Sequence, residues 1–139
     1  MRPLRGSRPN KLLLLRIGGG CDASVLVGRA GPPAGLPRRF LKVTGEMVAS
    51  AQAENGVLAY QRFISEDGQT IYVHERYEDS GAAIEHLRAF VATFDERYAS
   101  MVERKRFVVF GDPSDELRAL LNGYGAPYHR PFGSFPYWG

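Results

Sequence analysis

Three histidines and a set of aromatic side chains are the parts of this sequence that could do chemistry. His86 follows Ala82-Ala83-Ile84-Glu85 on what reads as the first turns of a helix, beside the apolar positions Ala83, Leu87 and Phe90. An imidazole there can point into a cleft between helix and sheet. Histidine ordinarily titrates near neutrality, so it can take a proton from a phenolic substrate. The alternative is a structural histidine bonded to a strand carbonyl or a carboxylate. His74, Glu75 and Arg76 are consecutive on a β-rich run, so Glu75 faces one side of a strand while Tyr72, His74 and Arg76 face the other. Glu75 paired with His86 would form the carboxylate–imidazole arrangement that fixes a tautomer for base catalysis. A plain strand–helix salt bridge is the alternative for it. Tyr60, Phe63, Tyr72, Phe90, Phe94 and Tyr98, with His74, can line a pocket for a flat aromatic ligand, or can simply pack as core. His74, His86 and His129 have no metal-ligand spacing, and no metal is expected.

Other chemistries find no support. Gly18-Gly19-Gly20 lacks the strand before it and the helix after it that a phosphate loop requires. No serine sits in a nucleophile elbow, and Cys21 has no activating histidine nearby in sequence. With a single cysteine, the chain has no disulfide framework and no thiolate zinc site, which fits a reducing, cytoplasmic setting.

The elements that must position these residues are legible from periodicity. Residues 23–30 read as a first strand, and residues 31–37, with three prolines and two glycines, as a breaker. Over 38–54, Phe40, Val43, Met47, Val48 and Ala51 recur at helical steps, and Asn55-Gly56 supplies a stop. Two β-rich runs, 56–64 and 70–77, flank Asp67-Gly68 and predict a hairpin. A long helix follows from Ser80, with Ala83, Leu87, Phe90, Val91, Phe94, Tyr98 and Met101 in one stripe. Residues 107–110 read as a strand, with Asp112 capping a brief helix that Pro113 begins. The order βαββαβ predicts an α+β, ferredoxin-like sandwich with an antiparallel sheet.

Charge and hydropathy narrow the partners. The net charge is +3, but Arg2, Arg5, Arg8, Lys11 and Arg16 account for it, and the rest has 13 basic and 15 acidic residues. Arg104-Lys105-Arg106 is the one basic cluster in the body, read as a helix C-terminus favoured by the macrodipole. No nucleic-acid partner is expected. The run Leu12–Leu15 is too short for a signal peptide, which needs roughly 7–15 apolar residues, or for a membrane span. Residues 1–21 read as a flexible basic arm, 22–122 as the folded domain, and 123–139 as an aromatic, proline-rich tail. Six rings between Tyr124 and Trp138 give that tail apolar area to dock on the domain or a partner subunit.

Taken in order, Glu54-Asn-Gly-Val-Leu-Ala-Tyr60, Ser65-Glu-Asp-Gly68, Val73-His-Glu-Arg-Tyr-Glu-Asp79, Ala82-Ala-Ile-Glu-His86 and Arg106-Phe-Val-Val-Phe-Gly-Asp-Pro-Ser114 resemble the antibiotic biosynthesis monooxygenase domain family. The resemblance spans roughly residues 23–121. It implies a dimeric α/β barrel, a homodimer, and a pocket histidine at the position of His86. The family includes cofactor-independent oxygenases of polycyclic aromatic or quinol substrates, haem-degrading enzymes, signal-molecule isomerases and members with no assigned activity. Its oxygenase and haem-degrading members tend to use a tryptophan and an asparagine near the histidine. Here the only tryptophan is Trp138, and no asparagine lies between Asn55 and Asn122, which argues against haem degradation. Two readings follow. The first is a small monooxygenase with no cofactor, in which His86 assists deprotonation of a phenol or quinol. The second is a non-catalytic dimeric ligand-binding or accessory domain of the same fold.

Overall fold

The computed structural model describes residues 36–132 and, for the backbone alone, 21–29. The basic arm before Cys21 and the end of the tail, with Phe135, Tyr137 and Trp138, lie outside the described residues. Strand β1 (Cys21–Arg29) leads to helix α1 (Arg38–Ala53), then β2 (Val57–Ile64) and β3 (Thr70–Tyr77). Helix α2 (Ser80–Thr93), the short α3 (Asp95–Ala99) and β4 (Val102–Gly111) follow. The chain closes with α4 (Asp115–Leu121), a 3-10 turn (Asn122–Tyr124) and the two-residue β5 (Tyr128–His129).

The sheet order is β2-β3-β1-β4-β5. Neighbouring strands among the first four pair antiparallel, as a ferredoxin-like sandwich requires, and β5 runs parallel to β4 at the edge. Phe40, Val43 and Met47 of α1 and Ala83 and Ile84 of α2 share one buried cluster with Ile71, Val73, Phe107 and Val109 of the sheet. The helices therefore cover one sheet face, and burial of these apolar side chains is the main driving force for that layering. Asp79 accepts a hydrogen bond from the Ala82 amide at 2.9 Å and so starts α2 at a fixed place. In the hairpin loop, Asp67 accepts from the Gln69 amide and the Ser65 hydroxyl, and Gly68 takes a φ of 70°.

Four details differ from the sequence reading. The long second helix is interrupted at Phe94, whose φ of −119° departs from the regular helical value although ψ, at −27°, does not, before α3 begins. Phe94 and Tyr98, one turn apart on either side of the break, are both buried in the core, as their shared stripe predicts. Val48 and Val91 are exposed rather than buried, since each lies one step off its helix's apolar stripe. Arg104, Lys105 and Arg106 belong to β4, not to a helix end. Their run of charges hides the period of two, and a register shift against β1 opposite Leu26/Val27 places an extra residue there. Finally, Ser114 rather than Asp112 caps α4, accepting from the Leu117 amide at 3.2 Å. Pro113 lies buried outside that helix.

Residues 124–129 lie along the β4 edge. Tyr124 stacks on Phe107 with centroids 5.4 Å apart, the Val109 amide donates to the Pro127 carbonyl, and Tyr128 donates to Asn122 Oδ1 at 2.8 Å. No helix among the described residues is long and apolar enough to cross a membrane.

Candidate active site

The period of two along β2 and β3 decides which side chains face the helices. Tyr60 pairs with Glu75 and Arg62 with Val73 across the strands, and all four line a cavity of about 450 Å³ under α2 and α3. From the helices come His86, Leu87, Phe90 and Tyr98, while Phe107 and Tyr124 close the side toward β4. A volume of this size suits a ligand of two or three fused rings.

His86 is buried between two phenol rings. Its ring centroid lies 5.4 Å from that of Tyr60 and 5.4 Å from that of Tyr77. Its Nδ1 lies 2.9 Å from Glu54 Oε2, a contact between residues 32 positions apart. With the Glu54 carboxylate accepting a hydrogen bond from Nδ1–H, Nε2 is the nitrogen that keeps a lone pair. Glu54 ends α1, and Gly56 two residues later carries a φ of 83° that only glycine adopts without strain. That turn brings the end of α1 against the start of α2.

The carboxylate beside His86 is therefore Glu54, not Glu75. Glu75 lines the same cavity but accepts the Tyr77 hydroxyl at 2.6 Å. Nothing in local sequence marks Glu54 as the partner, because the pairing arises only when α1 meets α2. The other residue that pattern reasoning missed is Arg62. Its Nη2 donates to the Tyr60 hydroxyl at 2.8 Å, its Nη1 to the Tyr98 hydroxyl at 3.2 Å, and the Met47 sulfur lies 3.6 Å from Nη2. The alternation Tyr60-x-Arg62 was the available signal. Burial pushes the Tyr60 phenol up to about 12 despite the Arg62 guanidinium beside it, so the phenol keeps its proton at working pH.

Of the aromatic residues expected to line a pocket, Tyr60, Phe90 and Tyr98 line this cavity. Phe94 is buried behind it, beside Glu54 and His86 in a separate crevice. Phe63, Tyr72 and His74 are not in the cavity. Phe63 and Tyr72 are cross-strand partners on the opposite sheet face, each about half exposed at 54% and 50%, and His74 pairs with Gln61 on that face. Residues 60 and 63 differ by an odd number, as do 75 and 72 or 74, so the strand pleat sends them to opposite sides. Among the described residues, no group of three His, Cys, Asp or Glu side chains is placed to hold a metal ion.

Three solved structures share this architecture at low sequence identity. MupZ from Pseudomonas fluorescens superposes with a TM-score of 0.72 at 19% identity, over 86% of this chain and 91% of that one. SnoaB, a cofactor-independent oxygenase from Streptomyces nogalater, superposes with a TM-score of 0.56 at 13% identity, over 69% of this chain and 95% of that one. A conserved protein from Methanosarcina mazei Go1 gives 0.57 at 11% identity, over 71% and 98% of the two chains. At these identities the likeness concerns the fold alone. No curated protein sequence matches the chain. The family description "Antibiotic biosynthesis monooxygenase" matches residues 24–93, half of the chain, taking in β1 through α2 with the hairpin and His86. By that match the chain belongs to the antibiotic biosynthesis monooxygenase family.

Proposed function

We propose that the cavity oxidises a small aromatic phenol or quinol with O₂ and no cofactor, with His86 as the base. The observation that carries this reading is the contact between buried His86 and partly buried Glu54 at the wall of an aromatic cavity. His86 takes the ring hydroxyl proton, which leaves an electron-rich phenolate able to give electrons to O₂. For a substrate with a methylene conjugated to the phenol, the balance is R₂CH₂ + O₂ → R₂C=O + H₂O, and the substrate supplies all the electrons. Phe90, Phe107 and Tyr124 hold the flat ring system and exclude water from it. Glu75 with Tyr77 fixes the floor of the cavity beneath the imidazole, which makes Glu75 a positioning residue rather than the base's direct partner. Oxygen uptake with a panel of naphthoquinols and anthrones tests the activity. Enzyme-dependent uptake is expected for at least one compound. Tight binding without uptake would favour the second reading, a ligand-binding or accessory domain, for which the absence of asparagine from residues 56–121 speaks.

The protein is proposed to work as a homodimer in the cytoplasm. The sheet face opposite the helices leaves Phe63, Tyr72 and Phe110 between 43% and 54% exposed, and a second subunit laid on that face would remove them from water. Light scattering at micromolar concentration should give twice the 15.4 kDa of one chain. A mass of one chain would rule the dimer out.

A further inference from the structure

Arg62 is a guanidinium turned into the cavity with no carboxylate of its own. Guanidinium stays charged at all working pH values, and an unpaired charge away from water is costly unless something answers it. Among the described residues Arg62 makes no ion pair; its partners are the hydroxyls of Tyr60 and Tyr98, the faces of the same two rings at 5.2 and 5.3 Å, and the Met47 sulfur. Its Nε is buried with no hydrogen-bond partner among the described residues. Glu75, which lines the same cavity, is held by Tyr77 instead. Glu103 and Asp95 line the cavity too, and Glu103 is paired with Lys105 at 2.7 Å.

The two phenols complete the picture. Each hydroxyl accepts from Arg62, so each keeps its own proton to donate, and neither has an acceptor among the described residues. Two O–H donors next to a cation that makes no ion pair among the described residues are the equipment of an oxyanion receptor, and Arg104, the other guanidinium lining the cavity, lies over the Tyr124 ring at 4.4 Å instead. Tyr60 also touches His86 through its ring, so the receptor and the base stand on either side of one side chain.

We infer that Arg62, Tyr60 and Tyr98 form a receptor for an anionic oxygen on a planar aromatic ligand. The inference rests on the reading above for the cavity as the ligand site, but not on oxygen chemistry, since binding is measured without turnover. The anionic oxygen can come from a carboxylate substituent or from an ionised ring hydroxyl, and two probes separate these sources. Calorimetry on the full chain compares 2-naphthoate with 2-naphthamide, and absorbance follows the ionisation of 4-nitrophenol bound to the protein. In at least one arm the anion should be favoured by about tenfold or more, as charge-assisted hydrogen bonds in a desolvated site give. That preference should fall to within about twofold in Arg62→Met.

Tyr98→Phe keeps the ring and removes one donor, so it tests the receptor even if Arg62→Met fails to fold. It should lower the preference by about three- to tenfold. Equal binding of naphthoate and naphthamide with an unmoved nitrophenol ionisation would overturn the inference, and so would a preference that survives Arg62→Met or, should that variant not fold, one unchanged in Tyr98→Phe. Failure of both probes to bind at millimolar concentration would overturn it too. Oxygen uptake is read separately, so a lost oxygenase activity with an intact anion preference, or the reverse, shows which of the two statements has failed.

Discussion

Replacing His86 with glutamine is expected to lower substrate-dependent oxygen uptake by about two to four orders of magnitude, the range that general-base catalysis supplies. Glutamine can still bond Glu54 and fills most of the same space between Tyr60 and Tyr77, so the fold should persist and the loss belongs to the base. Glu54→Gln separates chemistry from architecture. It keeps the hydrogen bond in form but removes the charge that steadies a protonated imidazole. Turnover should fall by up to about 10²-fold while KM stays nearly constant, because Glu54 acts through His86. Glu75→Gln should be milder than either, since the Glu75 carboxylate is bound to Tyr77 rather than to the imidazole. A His86→Gln protein that keeps a third or more of wild-type uptake would remove this residue from the mechanism.

Gly56→Ala should cost about 2–4 kcal/mol of folding stability, combining a left-handed backbone at a non-glycine residue with overpacking. At Gly56 φ is 83°, and a Cβ would sit 2.7 Å from the Cβ of Ala82. That neighbour is the first turn of α2, which cannot yield without moving His86. The Gly56 carbonyl also accepts from the Glu78 amide at 2.8 Å, so the strain falls on the junction that brings Glu54 to His86. Gly125 is the control: its φ is 64°, but a Cβ there meets open space. Gly125→Ala should therefore carry only the backbone part, about 1–2 kcal/mol. Urea denaturation of both variants checks this, and equal costs would show that the contact with Ala82 is immaterial. Where Gly56→Ala still folds, its oxygen uptake should fall with its stability, whereas that of Gly125→Ala should not.

Both predictions depend on a contact between chain segments that share no local pattern, and this divides what was legible in the sequence from what was not. Helical spacing of Phe40, Val43, Met47 and Ala51 and the hairpin around Asp67-Gly68 follow from backbone periods and turn chemistry, and these place the ferredoxin-like order on the page. His86 was legible for the same reason, as a polar residue three positions after Ala83 and four before Phe90 on an apolar helix face. The apolar alternation of a strand is weaker evidence. In β2 the inward residues are Tyr60 and Arg62 while Phe63 faces outward, so hydrophobicity alone points the wrong way.

By itself, then, the sequence determined the βαββαβ order of the main elements, the family resemblance and the helix that carries the histidine, because periodicity, caps and turns are written in residues a few positions apart. The break at Phe94, the start of β4 and the edge strand β5 were not legible there. Tertiary structure decided which groups meet the histidine and what the cavity presents to a ligand. Glu54 and His86 are 32 residues apart, and Arg62 and Tyr98 are 36 apart. Such pairings are set by how α1 and the break at Phe94 settle on one sheet face. Buried charge is the quantity that depends most on that settling, since its cost and its partner exist only once water has been excluded.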